Sequence, residues 1–247
     1  MATISNAWII TKKEWLEQQS ASFRRTLFSV PVLIIFIFAL MARSIPPDLI
    51  KMFIGLQFTF TALGVTVLVQ GMLVGPIFGK EKLSRTLESL LATPLGLNHI
   101  LLGKAVLASL VGVAVAGIAS AGATVVLNAY LPGRSVIWPP PEAWAFFVIV
   151  LPLVSFALST LVGLMLMFGL PAATVNGLAV VSSVALFSLP GLVHGVGAVG
   201  WSLDVTFAAM ALLMLVVDLV LYRSLTKERV ITGVKPTMRC REDGGQC

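Results

Sequence analysis

Charge is scarce in this sequence. Only 11% of its 247 residues are Asp, Glu, Lys or Arg, while 57% are hydrophobic. A soluble domain carries about 25% charge and roughly 45–50% apolar residues. The shortage excludes an ordinary water-facing surface and predicts an integral membrane protein. Cysteine is nearly missing too: Cys240 and Cys247 are the two present. That excludes a disulfide framework, and with no histidine beside them they read as tail thiols. Histidine is limited to His99 and His194, which the topology below places on opposite sides of the membrane. There is no HExxH, no GxSxG and no GxxxxGK[ST] phosphate loop. Gly79-Lys80 and Gly103-Lys104 lack both the preceding Gly-rich loop and the following Ser or Thr. The chain is therefore expected to have no catalytic or metal site and no nucleotide site of its own.

What is present is long apolar runs. A membrane-spanning helix needs about 20 mainly apolar residues. Six runs qualify, near 27–43, 53–78, 99–129, 143–168, 172–190 and 204–222. The third is long enough to tilt or to extend beyond the bilayer. The fold class expected is an all-α polytopic membrane protein with six transmembrane helices over 27–222. Residues 1–26 precede them, and 223–247 read as a disordered polar tail. The first apolar run begins only near Leu27, behind Lys, Glu and Arg, which is not the build of a secretory signal.

The charges that exist are distributed by side. With the N-terminus in the cytoplasm, 14 of the 17 Lys and Arg residues fall on the cytoplasmic face, Lys104 among them. Only Arg43, Lys51 and Arg134 fall outside. Short-loop Lys and Arg set orientation, so both termini are expected inside a cytoplasmic (inner) cell membrane. The net charge of +6 then reflects topology, and no nucleic-acid partner is expected. The outer loops are short. YLPGRSVIWPPPE holds a rigid Pro run with Trp138, and Trp144 follows, as in an interfacial aromatic belt. GLVHGVGAVGW is Gly-rich, still apolar, and a candidate to dip into the bilayer.

Ahead of the first span, Trp8, Thr11, Trp15 and Gln19 recur at helical spacing, with Lys12, Lys13 and Glu17 elsewhere. This predicts an amphipathic helix in the inner interface; an ordinary polar lead-in is the alternative. In the third span Ala108, Gly112, Ala116, Ser120 and Thr124 recur every four residues. Small residues in one stripe let helices approach closely in lipid, so packing is their expected role. Asp218 is the one charge recognised inside a span, near the end of the last helix, with Arg223 as candidate partner.

The stretch between spans two and three, GKEKLSRTLESLLATPLG, is dense in charge. Leu83, Leu87, Leu90 and Leu91 form one apolar stripe. Glu81, Arg85 and Glu88 lie on another face, with Glu81 and Arg85 a favourable i, i+4 pair. Pro94 stops the helix, because the residue before proline avoids helical geometry, and Asn98 can cap the next span. The expectation is a two-faced cytoplasmic helix over about 79–94.

The same residues carry a resemblance. Glu81 and Lys82, then Thr86-Leu87-Glu88, then Leu90-Leu91-Ala92-Thr93-Pro94, then Ile100-Leu101-Leu102-Gly103-Lys104 follow one another without a gap. This resembles the signature of the ABC-2 family of ABC-transporter permeases. The resemblance implies a six-helix permease subunit, commonly of an exporter, pairing as a homo- or heterodimer and binding two copies of a separate ABC ATPase. No cofactor would belong to this chain; ATP and Mg would be bound by the ATPase. It further implies that the helix between spans two and three is a coupling helix, with Lys80, Glu81, Lys82, Arg85, Glu88 and Pro94 at or setting the ATPase contact. A second coupling turn between spans four and five is usually polar. Here it is MFGLPAATVNG, which is uncharged, so Gly169, Pro171 and Asn176 would dock by shape. Two alternatives stand beside this reading: a membrane anchor or assembly factor that moves nothing, and an ion-coupled carrier using Asp218.

Overall fold

The computed structural model describes residues 21–42, 50–83, 97–130, 136–168, 174 and 201–224. Among these residues the fold is helical throughout, with no strand. In chain order the helices are α1 (Ala21–Ala42), α2 (Ile50–Leu83), α3 (Leu97–Ala129), α4 (Pro141–Ala145), α5 (Leu151–Met167) and α6 (Trp201–Ser224). A π-helical turn, Phe146–Val150, joins α4 to α5. Without water to bond the backbone, helices are the self-sufficient answer.

Among the described residues four stretches are long and apolar enough to cross a membrane: Phe53–Val74, Ile100–Ala129, Pro141–Met167 and Trp201–Arg223. Phe28–Met41 in α1 is a shorter apolar helix. These coincide with the expected runs 27–43, 53–78, 99–129, 143–168 and 204–222. The run 172–190 apart from Thr174, residues 1–20 and most of the tail lie outside the described residues. At 1.5 Å per residue, the 34 residues of α2 and the 33 of α3 rise about 50 Å. A hydrocarbon core is about 30 Å thick, so both helices tilt or carry their ends beyond it.

The fourth span was expected as one regular helix, and the π turn is the difference. Pro152 lies one residue into α5. Its ring cannot accept a carbonyl four residues back and offers no N–H to it. The wider turn resolves this: Leu151 N–H donates to the Phe146 carbonyl, five residues back. Upstream, Pro140 is extended (φ −65°, ψ 157°) and Pro141 opens α4, the helix position where a missing N–H costs least. Asn128 pins this entry to the end of α3. Its Nδ2 donates to the Ile137 carbonyl at 3.0 Å, and its Oδ1 accepts from the Ile137 N–H at 2.7 Å.

α3 is the central helix. It packs along α2 most extensively, and also on α1 and α5. α5 in turn packs on α2 and α6. α2 and α3 run antiparallel: Lys104, early in α3, reaches Ile77, late in α2. α5 and α6 run parallel. Phe146 meets Phe207 edge-on, ring centroids 5.5 Å apart, and further along both chains Thr160 bonds Asp218. The bundle therefore has a Pro140 end and a Lys104 end. α6 is peripheral: 17% of its apolar window is buried, against 61% for α2. Its outward residues Val205, Leu213 and Val220 are 63–67% exposed. Water would penalise such a face, whereas lipid accepts it.

Close packing rests on missing side chains. A Cβ on Gly163 would lie 2.7 Å from the Phe78 ring, and one on Gly117 2.9 Å from that of Phe147. Phe78 is itself buried and cannot swing aside freely. Gly163→Ala is therefore expected to destabilise the bundle by about 1–3 kcal/mol, the usual cost of overpacking. Thermal unfolding in detergent should show a lowered midpoint; an unchanged one would mean that α2 and α5 are not held at this distance.

Candidate functional site

The four apolar spans contain polar side chains that face inward. Gln57, Thr59, Thr61, Thr66 and Gln70 on α2 are buried, as are Lys104, Ser109, Ser120 and Thr124 on α3. So are Ser155, Ser159 and Thr160 on α5 and Asp204 and Asp218 on α6. In an apolar surround each such group is costly unless bonded, and ionisable groups inside a membrane bundle mark functional positions.

Toward the Pro140 end, Gln57 Nε2 donates to Thr61 Oγ1 at 3.4 Å, and Thr124 Oγ1 donates to Ser120 O at 2.8 Å while lying 3.4 Å from Gln57 Oε1. At mid-bundle, Gln70 Nε2 donates to the Ser155 carbonyl at 2.6 Å and contacts its Oγ. Ser155 Oγ donates to the Ser109 carbonyl at 3.3 Å. The Gln70 amide thus links α2 to α5, and the Ser155 hydroxyl links α5 to α3. Nearer the Lys104 end, Thr160 Oγ1 donates to Asp218 Oδ2. Lys104 Nζ donates to the Ile77 carbonyl at 2.7 Å and sits 5.6 Å from the centre of the Phe78 ring, a cation–π distance.

The contacts form a seam running the length of the bundle, with its members carried at helical spacing. Gln57 and Thr61 are one i, i+4 pair of α2; Thr66 and Gln70 are another, turned to a different face. Gly112 of α3 lies at the junction. A Cβ there would be 3.5–3.6 Å from Thr66, Gln70 and Ser155. Four seam oxygens or carboxylate atoms have no hydrogen-bond partner among the described residues: Thr66 Oγ1, Gln70 Oε1, Asp204 Oδ2 and Asp218 Oδ1. Buried unpaired acceptors of this kind are uncommon and point to function.

Beside the seam, α1 and α2 border an open groove of about 350 Å³. Ile34, Phe38, Phe53 and Phe60 make it apolar, and Gln57 and Thr61 supply its polar spots. A mainly apolar site with a few placed polar groups is the usual form of a small-molecule site.

Comparison with protein-family models, with curated proteins and with solved structures finds no match to this chain. The site is therefore read from its own geometry.

Of the expected site residues, Ala108, Gly112, Ala116 and Ser120 are buried on α3, where α2 and α5 pack. Lys80, Glu81 and Lys82 belong to the last turn of α2, which runs on without a break to Leu83. Arg85, Glu88, Pro94, Gly169, Pro171 and Asn176 lie outside the described residues. Lys104, assigned to the cytoplasmic face by the charge count, is 1% exposed; the end of α2 covers the first turns of α3. One expectation needs correction. Asp218 was matched with Arg223; its partner is Thr160 across the α5–α6 contact, while the Arg223 side chain is exposed. Asp204 and the amides of α2 are site residues that the sequence reading does not single out. The signal was there: Gln57 and Gln70 are amides inside an otherwise apolar run.

Gln70→Ala should remove the link between α2 and α5. Interhelical hydrogen bonds in membranes average about 0.6 kcal/mol, so losing both should cost roughly 1–2 kcal/mol in a denaturant titration followed by circular dichroism. Wild-type stability in that variant would show that the seam does not hold the helices together.

Proposed function

We propose that this chain is the permease subunit of an ABC-2-type ABC transporter, an exporter driven by a separate ATPase. The observation that carries the reading is the ungapped stretch from Glu81 to Lys104, with its family-like order of residues. The helical bundle supports it in two ways.

The first is topology. α5 and α6 run parallel, so Met167 and Trp201 lie at opposite ends of the bundle. In this reading the connection between them supplies one more span, with 172–190 as its apolar run, beside α1, α2, α3, the α4–α5 stretch and α6. The charge bias then puts the Lys104 end and both termini in the cytoplasm of the cell that bears this membrane, with the segment 1–26 as an amphipathic helix along the inner interface.

The second is mechanics. α2 is continuous from Ile50 to Leu83. A push on the coupling helix at about 79–94 would travel down α2 as down a rod. Ile77 is bonded to Lys104, and Phe78 is seated on Gly163, so the end of α2 would carry α3 and α5 with it. The second coupling turn, Gly169, Pro171 and Asn176, would meet the ATPase by shape. In this reading two ATPase copies bind ATP and Mg, two permease chains pair, and a lipophilic or amphipathic cargo passes along the apolar groove and the seam.

Buried Asp218 favours one other reading, an ion-coupled carrier. Loss of a pH-driven flux in Asp218→Asn, with no dependence on ATP, would select it.

Two measurements decide the proposal. Pull-down from native membranes is expected to recover an ATPase subunit; a chain that purifies alone and transports without ATP would refute the proposal. Charge reversals Arg85→Glu and Glu88→Lys should cut transport-coupled ATP hydrolysis by about tenfold or more, since one close interfacial charge pair is worth roughly 1.5 kcal/mol or more. Membrane insertion should be unaffected. Wild-type coupling would take the role away from both residues.

A further inference from the structure

At the Pro140 end, α2, α4 and α6 enclose a pocket of about 220 Å³. Thr59, Glu142 and Asp204 line it, between the apolar walls of Leu56, Pro140 and Leu203. Asp204 is 7% exposed, and its Oδ2 has no hydrogen-bond partner among the described residues. The dipole at the start of α6 offsets part of its charge, since Asp204 lies in the first turn. Glu142 adds a second negative charge, and no Lys or Arg is among the described lining residues. A buried carboxylate without a countercharge is expensive. Among the described residues the pocket presents two carboxylates and no positive group.

The size and walls narrow the class. A water occupies about 30 Å³, so the pocket holds roughly seven waters' worth of volume. Drug-sized sites run from about 300 Å³ upward. Hard divalent ions ask for six or more oxygen ligands, and no group of three metal-ligating acids, histidines or cysteines exists among the described residues. Leu56, Pro140 and Leu203 suit methyl and methylene groups around a charged nitrogen. Trp144 and Trp201, both exposed, lie two and three residues from Glu142 and Asp204 in the chain, and tryptophan is enriched at membrane interfaces.

We propose that this pocket binds an alkylammonium group, carried by a choline or ethanolamine lipid headgroup or by a free amine. Asp204 is the charge partner and Glu142 the second, more exposed one. The inference stands apart from the permease reading: a chain that moves no cargo would bind the ammonium group all the same.

The test uses the full chain in nanodiscs. In discs of phosphatidylglycerol alone, tetramethylammonium chloride is titrated against sodium chloride at matched ionic strength, with tryptophan fluorescence as readout. A saturable change absent with sodium is expected. It should weaken about tenfold in Asp204→Asn and less in Glu142→Gln, in line with loss of one buried charge partner. The thermal transition of each variant checks its folding; if Asp204→Asn does not fold, Glu142→Gln carries the comparison. In discs of mixed phosphatidylcholine and phosphatidylglycerol, native mass spectrometry follows retained lipid. Selective retention of phosphatidylcholine, lost in the variant, assigns the lipid source; tetramethylammonium binding without it assigns a free amine. Neither signal in the wild type, or both unchanged in the folded variants, overturns the proposal.

Discussion

The close approach of α3 to α2 and α5 is the contact on which the rest of the bundle depends. It exists because α3 presents Ala108, Gly112, Ala116 and Ser120 to its neighbours, and all four are buried. In lipid there is no hydrophobic gain in hiding one apolar helix behind another, so backbones must come near enough for dispersion and hydrogen bonds to act. Gly112 lies where α2, α3 and α5 meet. With no side chain there, Gln70 spans from α2 to Ser155 on α5, and Ser155 reaches the α3 backbone. A side chain much larger than a methyl would crowd Gln70 and Ser155 and weaken the hydrogen bond between them.

The polar seam and the packing are therefore one device. Small residues set the spacing, and the spacing lets Gln57, Gln70, Thr124, Ser155 and Thr160 find partners on other helices. At the Lys104 end the same device holds a charge. Lys104 lies under the last turns of α2 with a carbonyl and an aromatic face for company. The two ends differ in electrostatics: buried Lys104 and Asp218 at one, buried Asp204 with Glu142 beside it at the other.

Much of this was legible in the residues. Runs of apolar side chains must be helices in lipid, so the positions of α2, α3, α5 and α6 followed from length and composition. The stripe on α3 was legible because period four is the helix's own repeat. The π turn was not, although Pro152 announced a local problem: several backbone solutions relieve a buried proline, and neighbouring rings select among them. The burial of Lys104 was not legible either. Counted along the chain it follows the charged stretch, and only the overlap of α2 on α3 turns it inward.

Local sequence decided what is local. Solvent, helix and the small-residue face are consequences of side-chain chemistry repeated every few residues, and no distant contact is needed to infer them. Tertiary structure decided the pairings. That Thr160 bonds Asp218, that Gln70 bonds Ser155 and that Asp204 shares a pocket with Glu142 depends on helix order, direction and rotation. Those are set by which faces fit when all the helices pack together, and partners 58, 85 and 62 positions apart in the chain leave no periodic trace of one another.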